Sequence, residues 1–287
     1  MKQVVDNLID LLKLERLSET KFIGRSQDLG FPKVFGGQVV GQSLSAATQT
    51  VEARHPHSLH CYFLRPGDSN HPIEYDVEIV RDGGSFSVRR VTASQFGKSI
   101  LVMTISFQIE ERGFDHQDAM PNVPGPESFK SELTLYQEHA NEIPQKVREL
   151  FTADRPIEYR IVENQNPFRP RPGIAKRHMW IRSVDKLPDE PLVHQSMLAY
   201  TTDYGFLETA LMPHGVSIGN PYLNIASLDH AMWFHREFRL DEWLLYVADS
   251  PSASQSRGFV RGQIFNQSGQ LVASTAQEGL IRYNKKA

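Results

Sequence analysis

Residues 34–47 read Val34-Phe35-Gly36-Gly37-Gln38-Val39-Val40-Gly41-Gln42-Ser43-Leu44-Ser45-Ala46-Ala47. Small and apolar residues alternate along this run, and no proline interrupts it through Val51. The pattern predicts a helix that begins at about Gly37, with small residues that let another element approach closely. The backbone N–H groups of Gly37 and Gln38 at the helix start are candidate donors to an oxyanion or a phosphate. Close helix packing is the competing explanation for the glycine pair.

Strand-like segments follow this helix, and a short amphipathic helix at residues 3–13 precedes it. The segments are separated by turn sequences such as Asp82-Gly83-Gly84 and Phe96-Gly97-Lys98. The predicted strands are residues 58–64, 73–80, 85–95 and 99–109. The first half is therefore a helix followed by four strands.

The second half repeats this order. Strand candidates at residues 157–163 and 178–183 lead to a helix-like run from Val193 to about Leu211. Further strands are predicted at residues 225–234, 243–249, 258–266 and 271–282. The duplication predicts an α+β fold of two antiparallel sheets, each wrapped around a long helix.

The segment between the halves differs in composition. Three prolines lie within residues 121–126, and a polar amphipathic segment at residues 128–151 is broken at Pro144. This predicts a linker that carries a helix of its own. The predicted domains are an N-terminal unit at residues 1–110, the linker at 111–156 and a C-terminal unit at 157–287.

The composition is that of an ordinary globular protein, with 40% hydrophobic, 10% aromatic and 23% charged residues among 287. The net charge of −3 is unlike the basic footprint of a nucleic-acid-binding protein. No window approaches the roughly 18 apolar residues of a spanning helix, and the first residues lack the pattern of a secretory leader. The single cysteine, Cys61, excludes an internal disulfide. We therefore expect a reduced, cytoplasmic protein that neither binds nucleic acid nor inserts into a membrane.

Asp203 is the most informative polar residue of the second predicted helix. The face that it shares with Ala199, Phe206 and Ala210 is largely small or apolar. A carboxylate that points to the core costs free energy unless it is paired or has a chemical role. Residues near Ala46 take its place in the first-half helix, so the acid exists in one copy only. A structural acid would be expected in both copies; an ordinary surface aspartate is the alternative.

Two more polar candidates follow from strand alternation. Ala273, Thr275 and Gln277 share one strand face, and the small members indicate that this is the inner face. The first-half counterpart of Gln277 is near Phe107, so an amide replaces an apolar residue. Ser227, at the start of the preceding strand pattern, could lie near the same helix. A satisfied polar core residue is the alternative explanation for both.

The sequence Gly215-Val216-Ser217-Ile218-Gly219 matches the G-x-S-x-G pattern of a serine nucleophile. That motif works only on a sharp turn from a strand into a helix. Here a predicted helix and Pro213 precede it and Pro221 follows it. We therefore interpret the segment as a loop.

Histidines and a cysteine in the first predicted strand also call for an explanation. His57 and His60 differ by three positions, so on a strand they point to opposite faces. A zinc site needs three or four ligands around one point, and we predict no metal. Cys61 lies next to His60, but adjacent strand residues face apart, which favours a small buried hydrophobe over a nucleophile.

Five longer motifs occur in one order along the chain. They are Val34-Phe35-Gly36-Gly37-Gln38-Val39-Val40-Gly41-Gln42, Tyr62-Phe63-Leu64-Arg65-Pro66-Gly67-Asp68, Asp229-His230-Ala231-Met232-Trp233-Phe234-His235, Arg257-Gly258-Phe259-Val260-Arg261-Gly262 and Ala273-Ser274-Thr275-Ala276-Gln277-Glu278-Gly279. Together they resemble the acyl-CoA thioesterase II family over almost the whole chain. The resemblance implies a double-hotdog fold and the hydrolysis of fatty acyl-CoA to free fatty acid and coenzyme A, with no cofactor.

The resemblance also implies a catalytic set of Asp, Ser or Thr, and Gln. By motif, Asp203 corresponds to the helix aspartate, Ser227 to the hydroxyl residue and Gln277 to the glutamine. His57 corresponds to a histidine that is a further active-site candidate. The family implies a homodimer or homotetramer as well.

The expected mechanism is hydrolysis without a covalent intermediate. Asp203 would accept a proton from water, while Ser227 and Gln277 orient that water. The N–H groups of Gly37 and Gln38 would stabilise the oxyanion.

Two other functions remain open at this point. A hotdog hydratase or dehydratase would carry a histidine a few residues from its acid, and residues 204–210 contain none. A non-catalytic acyl-CoA-binding module would bind the thioester and release no thiol.

Overall fold

The computed structural model describes residues 2–30, 33–163 and 168–284, which form an α+β protein. The helices of this described part are α1 (Lys2–Leu12), α2 (Gly36–Thr48), α3 (Glu132–Glu138), α4 (Gln145–Thr152), α5 (Pro191–Thr202) and α6 (Glu208–Leu211). No helix among these residues is long and apolar enough to cross a membrane.

The strands predicted in both halves are present. Those of the first half are β1 (Glu15–Arg16), β2 (Lys21–Gly24), β3 (His55–Phe63), β4 (Ile73–Asp82), β5 (Phe86–Gln95) and β6 (Lys98–Gln108). Two of these, β1 and β2, lie before α2 and were not predicted. Those of the second half are β7 (Ile157–Ile161), β8 (Lys176–Ser183), β9 (Leu223–Ser227), β10 (Asp229–Phe234), β11 (Leu244–Ser254), β12 (Arg257–Asn266) and β13 (Leu271–Tyr283).

The strands of the two halves join edge to edge. The sheet order is β1-β2-β4-β5-β6-β3-β10-β13-β12-β11-β8-β7, and β9 also pairs with β13. Strand β3 of the first half pairs with β10 of the second, with His230 opposite Cys61. Every strand pairing along this path is antiparallel, so the two predicted half-sheets form one continuous sheet.

Helices α2 and α5 lie against each other in opposite directions. A Cβ atom added to Gly37 would be 2.2 Å from the Tyr200 carbonyl oxygen, and one added to Gly41 would be 2.9 Å from that of Ser196. Both distances are too short for any residue with a side chain. The predicted close approach of a second element to this helix is therefore confirmed, and its partner is the helix of the other half.

Helix α5 is shorter than predicted. It ends at Thr202, with Asp203 as the residue that caps its C-terminus, and the helix-like pattern up to Leu211 is broken before α6 begins. Gly205 has a φ of +64°, a left-handed conformation that suits glycine. The Arg177 guanidinium donates a 2.7 Å hydrogen bond to the Gly205 carbonyl and holds this turn. The apolar periodicity correctly predicted which residues are buried, but the predicted helix was too long.

The predicted strand at residues 225–234 is also divided. Strand β9 ends at Ser227, and β10 starts at Asp229, because Leu228 leaves the regular ladder and donates its N–H to the Glu278 carbonyl. Both parts still pair with β13. The interruption leaves Ser227 opposite Gly279 at the end of its strand.

The linker covers one face of the second half of the sheet. Met120, Val123 and Phe129 pack against a buried cluster that includes Trp180 and Trp243. Further along, α3 and α4 account for the predicted helical segment, and Pro144 stands directly before α4. The predicted domain boundaries at residues 110 and 156 stay a prediction.

Candidate active site

Asp203 lies where helices from the two halves meet. As the C-terminal cap of α5, it lies beside the N-terminus of the antiparallel α2. A Cβ atom on Gly36 would be 2.6 Å from its Oδ2 atom and 2.9 Å from the Phe63 ring. The cap of α2 at the corresponding position is Gln49, three residues beyond the Ala46 position expected from the sequence. The carboxylate still has no acidic counterpart in the first half.

Ser227 and Gln277 converge on the Asp203 carboxylate, as the sequence predicted. The Ser227 hydroxyl donates a 2.8 Å hydrogen bond to Oδ1 of Asp203. The Gln277 amide donates to the same Oδ1 at 3.0 Å and to Ser227 Oγ at 2.8 Å. Gln277 is buried on the inner face of β13 together with Ala273 and Thr275. Residues that are far apart in sequence thus form one closed triangle of hydrogen bonds.

The two oxygens of the carboxylate have different surroundings. Oδ1 accepts both hydrogen bonds from Ser227 and Gln277. Oδ2 faces Gly36 at the start of α2, and no donor to it lies among the described residues. Oδ2 is therefore the oxygen available to a water or a substrate.

His230 belongs to the same cluster, although the sequence patterns did not predict it there. Its Nδ1 is 2.6 Å from Gln277 Oε1, and its Nε2 is 3.1 Å from the hydroxyl oxygen of Thr202. The ring is completely buried. Alternation along β10, where Met232 is also buried, is the signal that could have placed His230 on the inner face.

The N-terminus of α2 provides fewer free donors than expected. The Gln38 N–H already donates to the Phe35 carbonyl at 3.1 Å. The Gln38 side chain points away into a buried set of hydrogen bonds with Gln42 and the Arg25 carbonyl. For the Gly37 N–H, no acceptor lies within the described part of the chain. The two-donor prediction is corrected accordingly: Gly37 is the open donor, and Gln38 is engaged.

His57 does not belong to this site. It lies on β3, six residues before Phe63, which at about 3.3 Å per strand residue places it roughly 20 Å from the ring that contacts Gly36. Its Nε2 atom is 2.8 Å from Ser106 Oγ, and its ring contacts Phe86. Burial lowers the pKa of this imidazole. The family resemblance suggested an active-site histidine here, and the distance along β3 contradicts that.

Neither Ser217 nor Cys61 is placed as a nucleophile. Ser217 lies in irregular chain between a 3₁₀ turn and β9, so the strand-to-helix turn of a serine nucleophile is absent there. Cys61 is buried, and burial raises the pKa of its thiol well above the ordinary value, which suits a hydrophobic role. Among the residues that the structure describes, no group of His, Cys, Asp and Glu could hold a metal ion.

Comparisons with known proteins point to one family. Residues 25–108 match the family described as acyl-CoA thioesterase N-terminal domain, and residues 146–280 match the acyl-CoA thioesterase family. The chain is 46% identical to acyl-CoA thioesterase 2 of Haemophilus influenzae over 99% of its own length and 100% of that protein. It is 40% identical to human acyl-coenzyme A thioesterase 8, over 95% of this chain and 88% of the human protein.

Similarity to a solved structure points to the same family. An acyl-CoA thioesterase II from Mycobacterium marinum superposes with a TM-score of 0.78 at 42% identity, covering 96% of this chain and 98% of that one. The predicted double-hotdog fold is thereby confirmed. Since identity of 40% or more extends over nearly the whole length of two relatives, the chain belongs to the acyl-CoA thioesterase family.

Proposed function

We propose that this protein hydrolyses acyl-CoA thioesters to free fatty acid and coenzyme A, with Asp203 as the general base. The proposal rests on the different surroundings of the two carboxylate oxygens of Asp203. Oδ1 is fixed by Ser227 and Gln277, and Oδ2 is open toward the helix start of the other half. Family membership supports the reaction, and the hydrogen bonds support the roles of the residues.

The reaction needs one activated water. Oδ2 of Asp203 takes a proton as the water oxygen attacks the thioester carbonyl carbon. The carbonyl electrons move onto oxygen, and the Gly37 N–H donates to that oxyanion. When the carbonyl re-forms, the carbon–sulfur bond breaks. The coenzyme A sulfur leaves with the electron pair and recovers the proton.

Ser227 and Gln277 were expected to orient the water; because both donate to Asp203 Oδ1, their proposed role is instead to hold the base in position. Their hydrogen bonds leave one orientation for the carboxylate, so that little reorganisation is needed when the water attacks. Both bonds end on Oδ1, which leaves Oδ2 to act on the water. The acyl chain would add roughly 0.8 kcal/mol of binding free energy for each buried methylene.

The other two candidate functions receive less support. A dehydratase-type histidine beside the acid is missing from residues 204–210. His230 is near, but its Nδ1 faces Gln277 and its Nε2 faces Thr202. A binding module has no need for a carboxylate with one open oxygen.

Location and assembly form the last part of the proposal: a cytoplasmic enzyme that is a homodimer or homotetramer. The buried single thiol of Cys61 suits a reducing compartment. Exposed Tyr62 and Leu64 on and beside β3 provide apolar surface for a second copy. Light scattering after size-exclusion chromatography measures the assembly directly, and a monomer at micromolar concentration would refute that part.

A thiol-trapping assay tests the activity. Wild-type protein should release coenzyme A from acyl-CoA substrates, and assays across chain lengths define its preference. Asp203→Asn should lower kcat by about 10²- to 10⁴-fold while the protein stays folded. Asp6→Asn, at an exposed position of α1, is the matched control and should retain wild-type turnover. Near-normal turnover by a folded Asp203→Asn variant would remove Asp203 from the mechanism.

A further inference from the structure

His230 connects the proposed catalytic amide to helix α5. It is 0% exposed, on the inner face of β10. Its two ring nitrogens have different partners, Gln277 Oε1 at 2.6 Å and Thr202 Oγ1 at 3.1 Å. His230 is thus hydrogen-bonded to Gln277, which in turn donates to Asp203.

The donors and acceptors determine the direction of each bond. The Gln277 amide has two hydrogens, and its nitrogen donates to Asp203 Oδ1 and to Ser227 Oγ. Its Oε1 can only accept, so the proton on His230 must be at Nδ1. In a neutral ring Nε2 can only accept, so the single Thr202 hydroxyl hydrogen is directed to it at 3.1 Å in competition with the Ala199 carbonyl at 3.2 Å.

A reversed Gln277 amide would break this sequence of bonds. Its oxygen would then face Oδ1 of Asp203, and two acceptors would meet without a hydrogen between them. Its NH₂ group would face the Nδ1–H of His230, so that two donors would meet as well. A proton on Nδ1 therefore selects one of the two amide orientations.

We propose that His230, as its Nδ1–H tautomer, is a positioning residue that directs the NH₂ group of Gln277 toward Asp203 and Ser227. This role presupposes the hydrolytic function proposed above. His230 is fully buried, so we expect it to contact neither the water nor the thioester. It acts through Gln277, and the loss of its N–H leaves the carboxylate with a poorly oriented partner.

Burial of the ring favours its neutral form. It lowers the pKa of His230, although the charge of Asp203, the hydrogen bond to Gln277 and the charge of Asp229 act in the opposite direction. Phe206 contacts one side of the ring, and Cys61 faces it from β3. A neutral ring can accept from Thr202 at one nitrogen while it donates to Gln277 at the other.

Two substitutions at His230 separate positioning from packing. His230→Leu removes the donor, and we expect kcat to fall about 10- to 100-fold, with KM changed less than about threefold. His230→Asn places an amide N–H near the former Nδ1 and should restore kcat to within about fivefold of wild type. His235→Leu, which loses only a bond to Ser274, is the control.

The kinetic outcomes are distinct once each rate is corrected for the folded fraction. A His230→Leu variant with wild-type kcat, or an Asn variant as slow as the Leu variant, would overturn the positioning role. If the wild-type enzyme and the His235→Leu variant release thiol and Asp203→Asn does not, the proposed function stands in either case. If the wild type releases no thiol, the proposed function fails instead.

Nitrogen-15 NMR gives a readout that does not depend on activity. Long-range ¹H–¹⁵N spectra distinguish the two neutral tautomers, and the signals of His230 are those lost in His230→Asn. The Nδ1–H tautomer is expected. An Nε2–H tautomer, or a doubly protonated ring at pH 7.5, would overturn the inference.

Discussion

The Oδ2 atom of Asp203 faces the α-carbon of Gly36 across the junction of two helices, and a Cβ atom at Gly36 would lie 2.6 Å from it. The acid comes from the second half of the chain and the glycine from the first. Neither half alone can form this junction, since α2 supplies the glycine and α5 the carboxylate. The junction therefore needs an acid in one half only.

Gly36→Ala should impair catalysis because the new methyl group would be too close to Oδ2 of Asp203 and to the Phe63 ring. Either the carboxylate rotates or the Phe63 ring shifts, and both disturb the space for the water. We expect kcat to fall about 10- to 100-fold, as for other misplacements of about 1 Å. Steady-state kinetics with one saturating acyl-CoA measures this.

The matched control for that substitution is Gly113→Ala, where an added Cβ atom meets nothing within 4 Å. It should leave kcat and the melting temperature unchanged. If Gly36→Ala turned over substrate as fast as Gly113→Ala, the space between Gly36 and Asp203 would not be the reaction site.

Ser227 should be replaceable by another hydroxyl and not by a methyl group. Its hydroxyl donates to Oδ1 of Asp203 and accepts from Gln277. Ser227→Ala leaves the amide without one acceptor, and we expect kcat to fall about 10- to 100-fold. Ser227→Thr keeps both bonds and should stay within about threefold of wild type. Equal activity of the Ala and Thr variants would show that the hydroxyl does not help the base.

Periodicity predicted two features of the elements that form the site. The small residues of α2 predicted close packing, and alternation in β13 placed Gln277 inward; the structure confirms both. The single copy of Asp203 identified the half that carries the acid. These are local patterns, and each depends on burial of one face of one element.

Features that depend on distant contacts could not be predicted in this way. Helix α5 stops at Thr202, and Arg177 on β8 holds the turn that follows by donating to the Gly205 carbonyl. His230 joins the cluster through Gln277, which lies 47 residues away. His57 looked relevant by motif, but the length of β3 separates it from the site. Arg177 and Gln277 lie on strands other than the elements they contact, and the arrangement of the strands sets their positions.

Stability should decrease as the pH falls below 6.5, and His194 should account for part of the loss. Its Nδ1 accepts from the Leu240 N–H at 3.0 Å, and its Nε2 is 3.1 Å from the Pro188 carbonyl. Protonation at Nδ1 would break the first bond. Burial, followed by the charge of Arg239, lowers the pKa of His194 from 6.5, and Asp241 opposes this.

The direction of this change in stability with pH follows from proton binding. Below pH 6.5 the unfolded chain binds a proton at His194 before the folded protein does, so protons favour the unfolded state. The loss begins near the unfolded value of 6.5 and continues until the lower folded pKa is reached. It cannot exceed about 1.4 kcal/mol per pH unit for one group.

Urea unfolding at several pH values between 5.5 and 7.5 measures the dependence on His194. The His194→Gln variant keeps a donor near the Nε2 position and does not titrate, so its free energy of unfolding should vary less with pH than that of wild type. Equal slopes for the two proteins would show that His194 titrates alike in both states.

The linker should stabilise the turn that carries Asp203. Tyr204, the next residue, donates a 2.7 Å hydrogen bond to Glu132 Oε2 on α3. The Arg155 guanidinium contacts the same Oε2 at 3.0 Å and the Tyr204 hydroxyl at 2.6 Å. The Glu132 side chain is 5% exposed and that of Arg155 21%. This ion pair is therefore largely removed from water, and breaking it leaves an unpaired charge.

Glu132→Gln should accordingly cost about 3 kcal/mol of unfolding free energy, the lower end for a buried pair because Arg155 keeps some access to water. The matched control is Glu127→Gln. It breaks a linker ion pair of similar length, 3.1 Å to Arg160, in which the glutamate is 79% exposed. That change should cost less than about 1 kcal/mol. Urea denaturation measures both variants, and a similar cost for the two would mean that the contact between Glu132, Arg155 and Tyr204 contributes no more than a surface pair.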